Sequence, residues 1–304
     1  NGFTITKGNA NTNRAITVNG YSPDARYGGG MYNDNSSPTI SNITFSENNA
    51  TKGGGIYNAV SSPTISNSVF SENTATINGG GINNSSSSPT ISNTTFSGNT
   101  ANSIGGGIYN YTSSPTMNNC TIVSNNANSN GGGISNINIS YPIISNCTIT
   151  LNFATNNGGG MHNDYSSPTV SKSSISGNTA SNGGGIYNYN TSIDMYNTSV
   201  SGNIANTSGG GMYNTASYPR LNNSIIKENN SNSGGGVYNL NSFPTLTNVT
   251  ISGNTANSGA EWFNQSGFPT IYNSIIWGNG IYGDFNDNQN SLIQGRDSTN
   301  DGNI

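Results

Sequence analysis

The sequence is poor in the groups that carry chemistry. Lys and Arg number 8, Asp and Glu 12, and charged residues make up 7% of the 304 residues, against roughly a quarter in an ordinary soluble domain. The net charge of −4 leaves no basic face for nucleic acid, whose phosphates require one. One His and two Cys are too few for a zinc site or a disulfide scaffold. No apolar run approaches the roughly 18 residues of a membrane-spanning helix. No signal peptide opens the chain, which starts in mid-pattern at Asn1-Gly2-Phe3-Thr4-Ile5, as expected of a mature or trimmed product. Asn, Ser, Thr and 41 Gly fill the space. Such a composition can accompany disorder, but here the few apolar residues recur at strict positions.

A Gly-Gly-Gly triplet begins at Gly28, Gly53, Gly79, Gly105, Gly131, Gly158, Gly183, Gly209 and Gly234, and a degenerate Gly259-Ala260-Glu261 follows, at intervals of 25–27 residues. Each unit reads close to GGGIYN-x-x-SSPTISN-x-TFSGNTAN. It holds three short alternating segments bounded by Gly, Pro, Asn and Ser, which is a strand signal with no helical stretch between. The pattern predicts an all-β chain: a single right-handed parallel β-helix of about ten rungs, three short strands per rung. Residues 1–27 form an N-terminal partial rung and loop, 28–282 the repeats, and 283–304 a C-terminal loop and tail.

Stacking the units yields inward columns. One runs Met31, Ile56, Ile82 and on to Trp262; a second Ile40, Ile65, Ile91 to Ile271; a third Phe45, Phe70, Phe96 to Ile276. A small column of Ala50, Ala75, Ala101 and their successors is expected to end in Ile281. One rung cannot bury its own apolar residues, but neighbours above and below cover them. At about 4.8 Å per rung the stack is a rod of roughly 50 Å. Three Asn columns are as regular: Asn33 to Asn264, Asn42 to Asn273 (broken only by Lys172) and Asn48 to Asn279. Asn accepts the left-handed conformation of a sharp corner, and its amide can bond the Asn of the next rung. All three are therefore expected to be corner ladders.

The pairing of GGGI with Phe-x-x-Asn (Phe45 to Asn48, Phe70 to Asn73, Phe96 to Asn99) resembles the repeats of chlamydial polymorphic outer-membrane proteins, within the right-handed β-helix surface proteins of bacteria. Ser291-Leu292-Ile293-Gln294-Gly295 is similar to the stretch that closes such rods before an anchoring domain. The resemblance implies an adhesin or surface structural role and carries no shared catalytic residues.

Some parallel β-helices cleave polysaccharides, using carboxylates within about 5–10 Å of each other. Here the acidic neighbours in one column are Glu47 and Glu72, at a corner beside Gly98. Asp34 and Asp164 share a column five rungs apart, and Asp194 next to Arg220 reads as an exposed ion pair. His162 stands in an outward column held mainly by Tyr and reads as an exposed surface substitution. Cys120 and Cys147 fall in one inward column of adjacent rungs, within disulfide range, or they are two small core thiols. Asp284, Asn286, Asp287 and Asn288 group hard oxygen donors that suit calcium, or form a solvated loop. No other cofactor is indicated.

The outward faces offer more. Tyr32, Tyr57, Tyr109, Tyr187, Tyr213 and Tyr238, with Phe263, form an exposed aromatic stripe. Sugars stack on such rings; the plainer reading is that stacked neighbours stiffen the sheet. A second face presents ranks such as Thr39/Ser41 and Thr64/Ser66, similar to ice-binding solenoids but interrupted at Asp194, Arg220 and Tyr272. The sequence thus points to a non-catalytic extracellular structural protein, an adhesin stalk or filament subunit, with a glycan-binding module as the alternative and ice binding or polysaccharide cleavage behind it. The uncapped first strand also makes head-to-tail self-association an expectation.

Overall fold

The computed structural model describes residues 2–11, 24–278, 280–283, 285 and 287–294. Those residues form a parallel β-solenoid of about ten turns, with no helix. Each turn but the last has four strands rather than the three that the sequence pattern indicates. In one rung they are Ile82–Ser85, Thr90–Ser92, Thr95–Ser97 and Thr100–Ala101. The fourth is a short strand around the Ala column, and a single Ala between polar residues carries too little alternation to be read as a strand. Like strands stack into four parallel sheets of 11, 11, 12 and 10 strands.

The register is residue on residue. Met31 lies on Ile56, Ile40 on Ile65 and Phe45 on Phe70. The three apolar columns fill the bore, and Phe45, Phe70 and Phe96 stack at 4.8 Å with ring planes within 10°. Truncating such a buried Phe to Ala typically costs about 3–5 kcal/mol.

Every corner is turned by a left-handed residue. In the second described rung these are Gly53, Val60, Asn67 and Glu72, with φ between 48° and 66°. At three of the four corners the next residue's N–H can no longer reach a carbonyl of the rung above, and a buried side chain accepts it instead. Ser61 N donates to Ser87 Oγ (2.9 Å), Cys147 N to Ser173 Oγ (3.1 Å) and Asn73 N to Asn99 Oδ1 (3.1 Å). Two hydroxyl columns and one Asn column therefore run up the interior, each one residue past a corner.

The three Asn columns thus do different work. The column from Asn48 to Asn254 is buried and laddered: Asn152, for example, donates from N and Nδ2 to Asn178 Oδ1 (both 2.9 Å) and from Nδ2 to Ile122 O (3.0 Å). The column from Asn33 is also buried, with Nδ2–Oδ1 bonds of 2.8–2.9 Å from rung to rung as far as Asn239. The column from Asn42 is exposed and turns the corner itself, and Lys172 adopts the same conformation there (φ 48°). Of the three columns, only this one uses the left-handed tolerance of Asn, and only the two buried ones form continuous ladders. Asn279 lies outside the described residues.

At the start, Phe3–Thr6 pairs with Ile43–Ser46 and puts Ile5 beside Phe45. At the end, Ile281 does not extend the Ala column. It pairs with Trp262 in the first sheet, and among the described residues no fourth strand follows Trp277. Strands Asp287–Gln289 and Leu292–Ile293 then carry the second and third sheets past residue 282.

Candidate functional site

The feature best suited to a ligand is the outer face of the first sheet. Register places Tyr32, Tyr57, Asn83, Tyr109, Ser135, His162, Tyr187, Tyr213, Tyr238, Phe263 and Tyr282 in one column. The stripe is less exposed than its sequence suggests. It lies in a trough between the residues before each Gly triplet (Lys52, Asn78, Ile104, Asn130) and those ending the strand (Ser85, Tyr111, Ile137, Asp164). Tyr57 is 8% exposed, and His162, at 5%, is buried rather than a surface substitution. Burial pushes the Tyr109 and Tyr213 hydroxyls up to about 12 and holds the His162 imidazole down at about 4, so the ring is neutral.

From His162 onward the rings are stacked without a break. Centroid separations run 5.5, 5.0, 4.9, 4.9 and 4.4 Å to Tyr282, with planes within 14°. Each ring's faces are largely covered by its neighbours, which leaves edges and hydroxyls facing outward. The lower part differs. Asn83 and Ser135 interrupt the column; a cleft opens beside Asn83, whereas Ser135 is fully buried with its Oγ 3.3 Å from His162 Nδ1, and a second cleft lies over His162 and Tyr187. The first, of about 180 Å³, is lined by Lys52, Tyr57, Asn78, Asn83, Ser85, Tyr109 and Tyr111. The second, of about 290 Å³, is bordered by Ile104, Asn130, Ile137, Asn157, His162, Asp164, Tyr187 and Tyr189. The signal for the first cleft is in the sequence, at Asn83, where the Tyr column lapses into a small polar residue.

The other candidates stay apart. Glu47 and Glu72 occupy left-handed corner positions in the same column and are exposed. Arg220 Nε donates to Asp194 Oδ1 at 2.6 Å, the expected exposed ion pair. Asp284 and Asn286 lie outside the described residues, while Asp287 and Asn288 belong to the strand Asp287–Gln289. Among the described residues no group of three or more His, Cys, Asp or Glu could hold a metal ion. Cys120 and Cys147 are buried free thiols that replace Ser or Thr in a hydroxyl column. Cys120 N donates to Cys147 Sγ at 3.4 Å, as its column-mates donate to hydroxyls. The neighbouring Cys147, with burial, pushes the Cys120 thiol up.

Glu261 carries a role that its sequence position hides. It replaces the third Gly of a triplet, is fully buried, and accepts from Asn254 N (3.2 Å) and Asn254 Nδ2 (2.5 Å). Its carboxylate does for the last described Asn of the ladder what the next Asn does elsewhere, and burial pushes its pKa up.

Three segments, residues 42–59, 93–111 and 172–189, match the family model described as the Chlamydia polymorphic membrane protein (Chlamydia_PMP) repeat. Each spans the corner Asn column, the third and fourth strands and the Gly triplet that opens the next rung. No curated protein and no solved structure matches the chain.

Proposed function

We propose that this chain is a non-catalytic structural segment of a bacterial surface protein, serving as an adhesin stalk or a filament subunit outside the cell. The observation that carries the reading is where the polar groups go. The interior Asn and Ser side chains bond neighbouring rungs, so the chemistry of the repeat is spent on holding the stack. The solenoid fold and the matching surface-protein repeat are compatible with that role. Among the described residues no helix is long and apolar enough to cross a membrane.

Electron microscopy of the purified protein tests the reading. Isolated rods of roughly 50 Å support a stalk, and filaments with that axial repeat support head-to-tail assembly; compact particles would overturn both. Polysaccharide turnover lost on Glu47→Gln or Glu72→Gln would restore an enzymatic role. Two smaller proposals are separable: calcium held by the Asp284 to Asn288 segment, read by calorimetry, and a Cys120–Cys147 bridge in oxidising surroundings, read by thiol titration after unfolding. A second functional reading, a glycan-binding module, is favoured by the two clefts in the aromatic column.

A further inference from the structure

The corner between the first and second strands, turned by Val60 in the second described rung, changes character along the rod. In the first three rungs its outer positions hold small or polar side chains apart from Val60. From the rung opening at Gly105, each rung sets an aromatic ring there: Tyr111, Tyr141, Tyr165 and Tyr189 in turn, joined by Ile139 and Ile143. Tyr218, Phe243 and Phe268 continue the line in the next three rungs. These rings are 38–56% exposed. Neighbours touch: Tyr165 meets Tyr189 edge to face at 5.5 Å, Tyr218 stacks on Phe243 at 5.3 Å, and Phe243 meets Phe268 at 6.4 Å. The result is an apolar ridge seven rungs long, about 29 Å along the axis. The fold does not require it. At the position of Tyr141, Tyr218, Phe243 and Phe268 the other rungs carry Ser, and Tyr141 N bonds Ser114 Oγ (2.9 Å) as Ser88 N bonds Ser62 Oγ (2.9 Å).

We propose that a second copy of the chain lies along this ridge, rod against rod. The inference is independent of the stalk and filament readings, which concern the length and the ends of the rod. Area supports it. A fully covered aromatic side chain buries about 150–250 Å², so seven half-exposed rings offer about 500–800 Å² on one copy. That is more apolar surface than a monomer usually leaves in one patch, and two such faces reach the roughly 1,200–2,000 Å² of a stable interface. Pitch selects the partner. The rings recur at about 4.8 Å, the spacing of stacked rungs. A helix repeats at about 5.4 Å and one face of an extended strand at about 6.6 Å, so either falls out of step within a few rungs. Another stack of the same repeat stays in step throughout. Charge does not oppose the pairing: beside the ridge stand Asp164 and the Asp194–Arg220 ion pair, which is neutral as a unit.

The test exploits the repeat itself. Tyr141→Ser, Tyr218→Ser, Phe243→Ser and Phe268→Ser together install the residue that the other rungs carry at this position. Sedimentation equilibrium and small-angle X-ray scattering of the purified chain give the readout. The native chain is expected to be dimeric at about 100 µM, with a wider cross-section and an unchanged rod length. The fourfold variant is expected to weaken dimerisation at least about a hundredfold. If it does not fold, Phe243→Ser alone is expected to weaken it about tenfold. Leu151→Ser removes an exposed apolar side chain at another corner and is expected to leave dimerisation unchanged; an equal loss there would overturn the assignment to this ridge. A native chain that stays monomeric at about 100 µM, or that lengthens without widening, would overturn the inference and leave the stalk and filament readings standing. Sedimentation of a monomeric native chain with phosphatidylcholine vesicles, lost in the fourfold variant, would overturn it in favour of a lipid surface.

Discussion

From Gly131 to Gly158 the chain keeps the four strands and both buried Asn ladders of the repeat, although it is 27 residues long and carries Ser135 and Cys147, whereas the turn opening at Gly259 departs from the repeat in many columns. The third Gly becomes Glu261, the inward Ile becomes Trp262, and among the described residues this turn has no fourth strand. The local conformation is nevertheless retained: Trp262 still pairs with Val237, and Gly259 is still left-handed at φ 58°. What has changed is the company above. Asn152 meets another Asn, whereas Asn254 meets a carboxylate. The residue in an interior column is thus set by what the next rung must donate or accept, more than by the backbone at that position.

The comparison is sharpened most by breaking a ladder in the regular part. Asn152→Ala removes the four hydrogen bonds its side chain makes, leaving buried Asn125 N without its acceptor and Asn125 Nδ2, Ile122 O and Asn178 Oδ1 each one bond short. At about 1–3 kcal/mol for the orphaned Asn125 N–H and about 1 kcal/mol for each of the three other lost bonds, a loss of roughly 4 kcal/mol or more is expected in denaturant unfolding. Asn146→Ala, at the exposed corner six residues earlier, should cost about 1 kcal/mol, the strain of a left-handed Ala. Equal losses would abolish the distinction between the columns.

The two regions should also respond to pH with opposite signs. His162, in the regular part, is held neutral by burial, its pKa lowered from 6.5 to about 4. The unfolded chain binds the proton more readily, so this stability is present above 6.5 and lost as pH falls toward 4, by up to roughly 3 kcal/mol. His162→Tyr should remove that loss in thermal melts across the window. Glu261, in the closing rung, has its pKa raised by burial. Its contribution is greatest below the unfolded value of 4.5 and is lost as pH rises through the folded pKa. Glu261→Gln should flatten that dependence and be neutral or stabilising near pH 7, while Glu261→Ala should destabilise by about 1–3 kcal/mol through the uncapped Asn254. Smallest of all, Cys120→Ser restores the column's usual hydroxyl and should shift stability by less than about 1 kcal/mol.

The solenoid, its register and its apolar columns were legible because each residue recurs ten times against the same neighbours. The fourth strand was not, since two to five residues around a lone Ala carry no alternation. The three Asn columns look alike in sequence, yet Asn42 turns a corner while Asn48 bonds through it, a difference set by which residue takes positive φ. Burial of the aromatic stripe depends on ridges contributed by residues four or five positions before it and two after it, as at Lys52, Tyr57 and Ala59, so His162 reads as exposed until the trough is seen. The first cleft was visible only as the lapse at Asn83, and Glu261 looked like decay of the repeat rather than its closure.

Side-chain amide hydrogen exchange of the asparagines tests the central claim most directly, because protection reports burial and bonding of each Nδ2 group. The Asn33 and Asn48 columns are expected to exchange slowly from the second rung to the ninth, and the Asn42 column fast throughout. Equal protection in all three columns, or rapid exchange at Asn125 and Asn152, would contradict a rod held together by buried ladders.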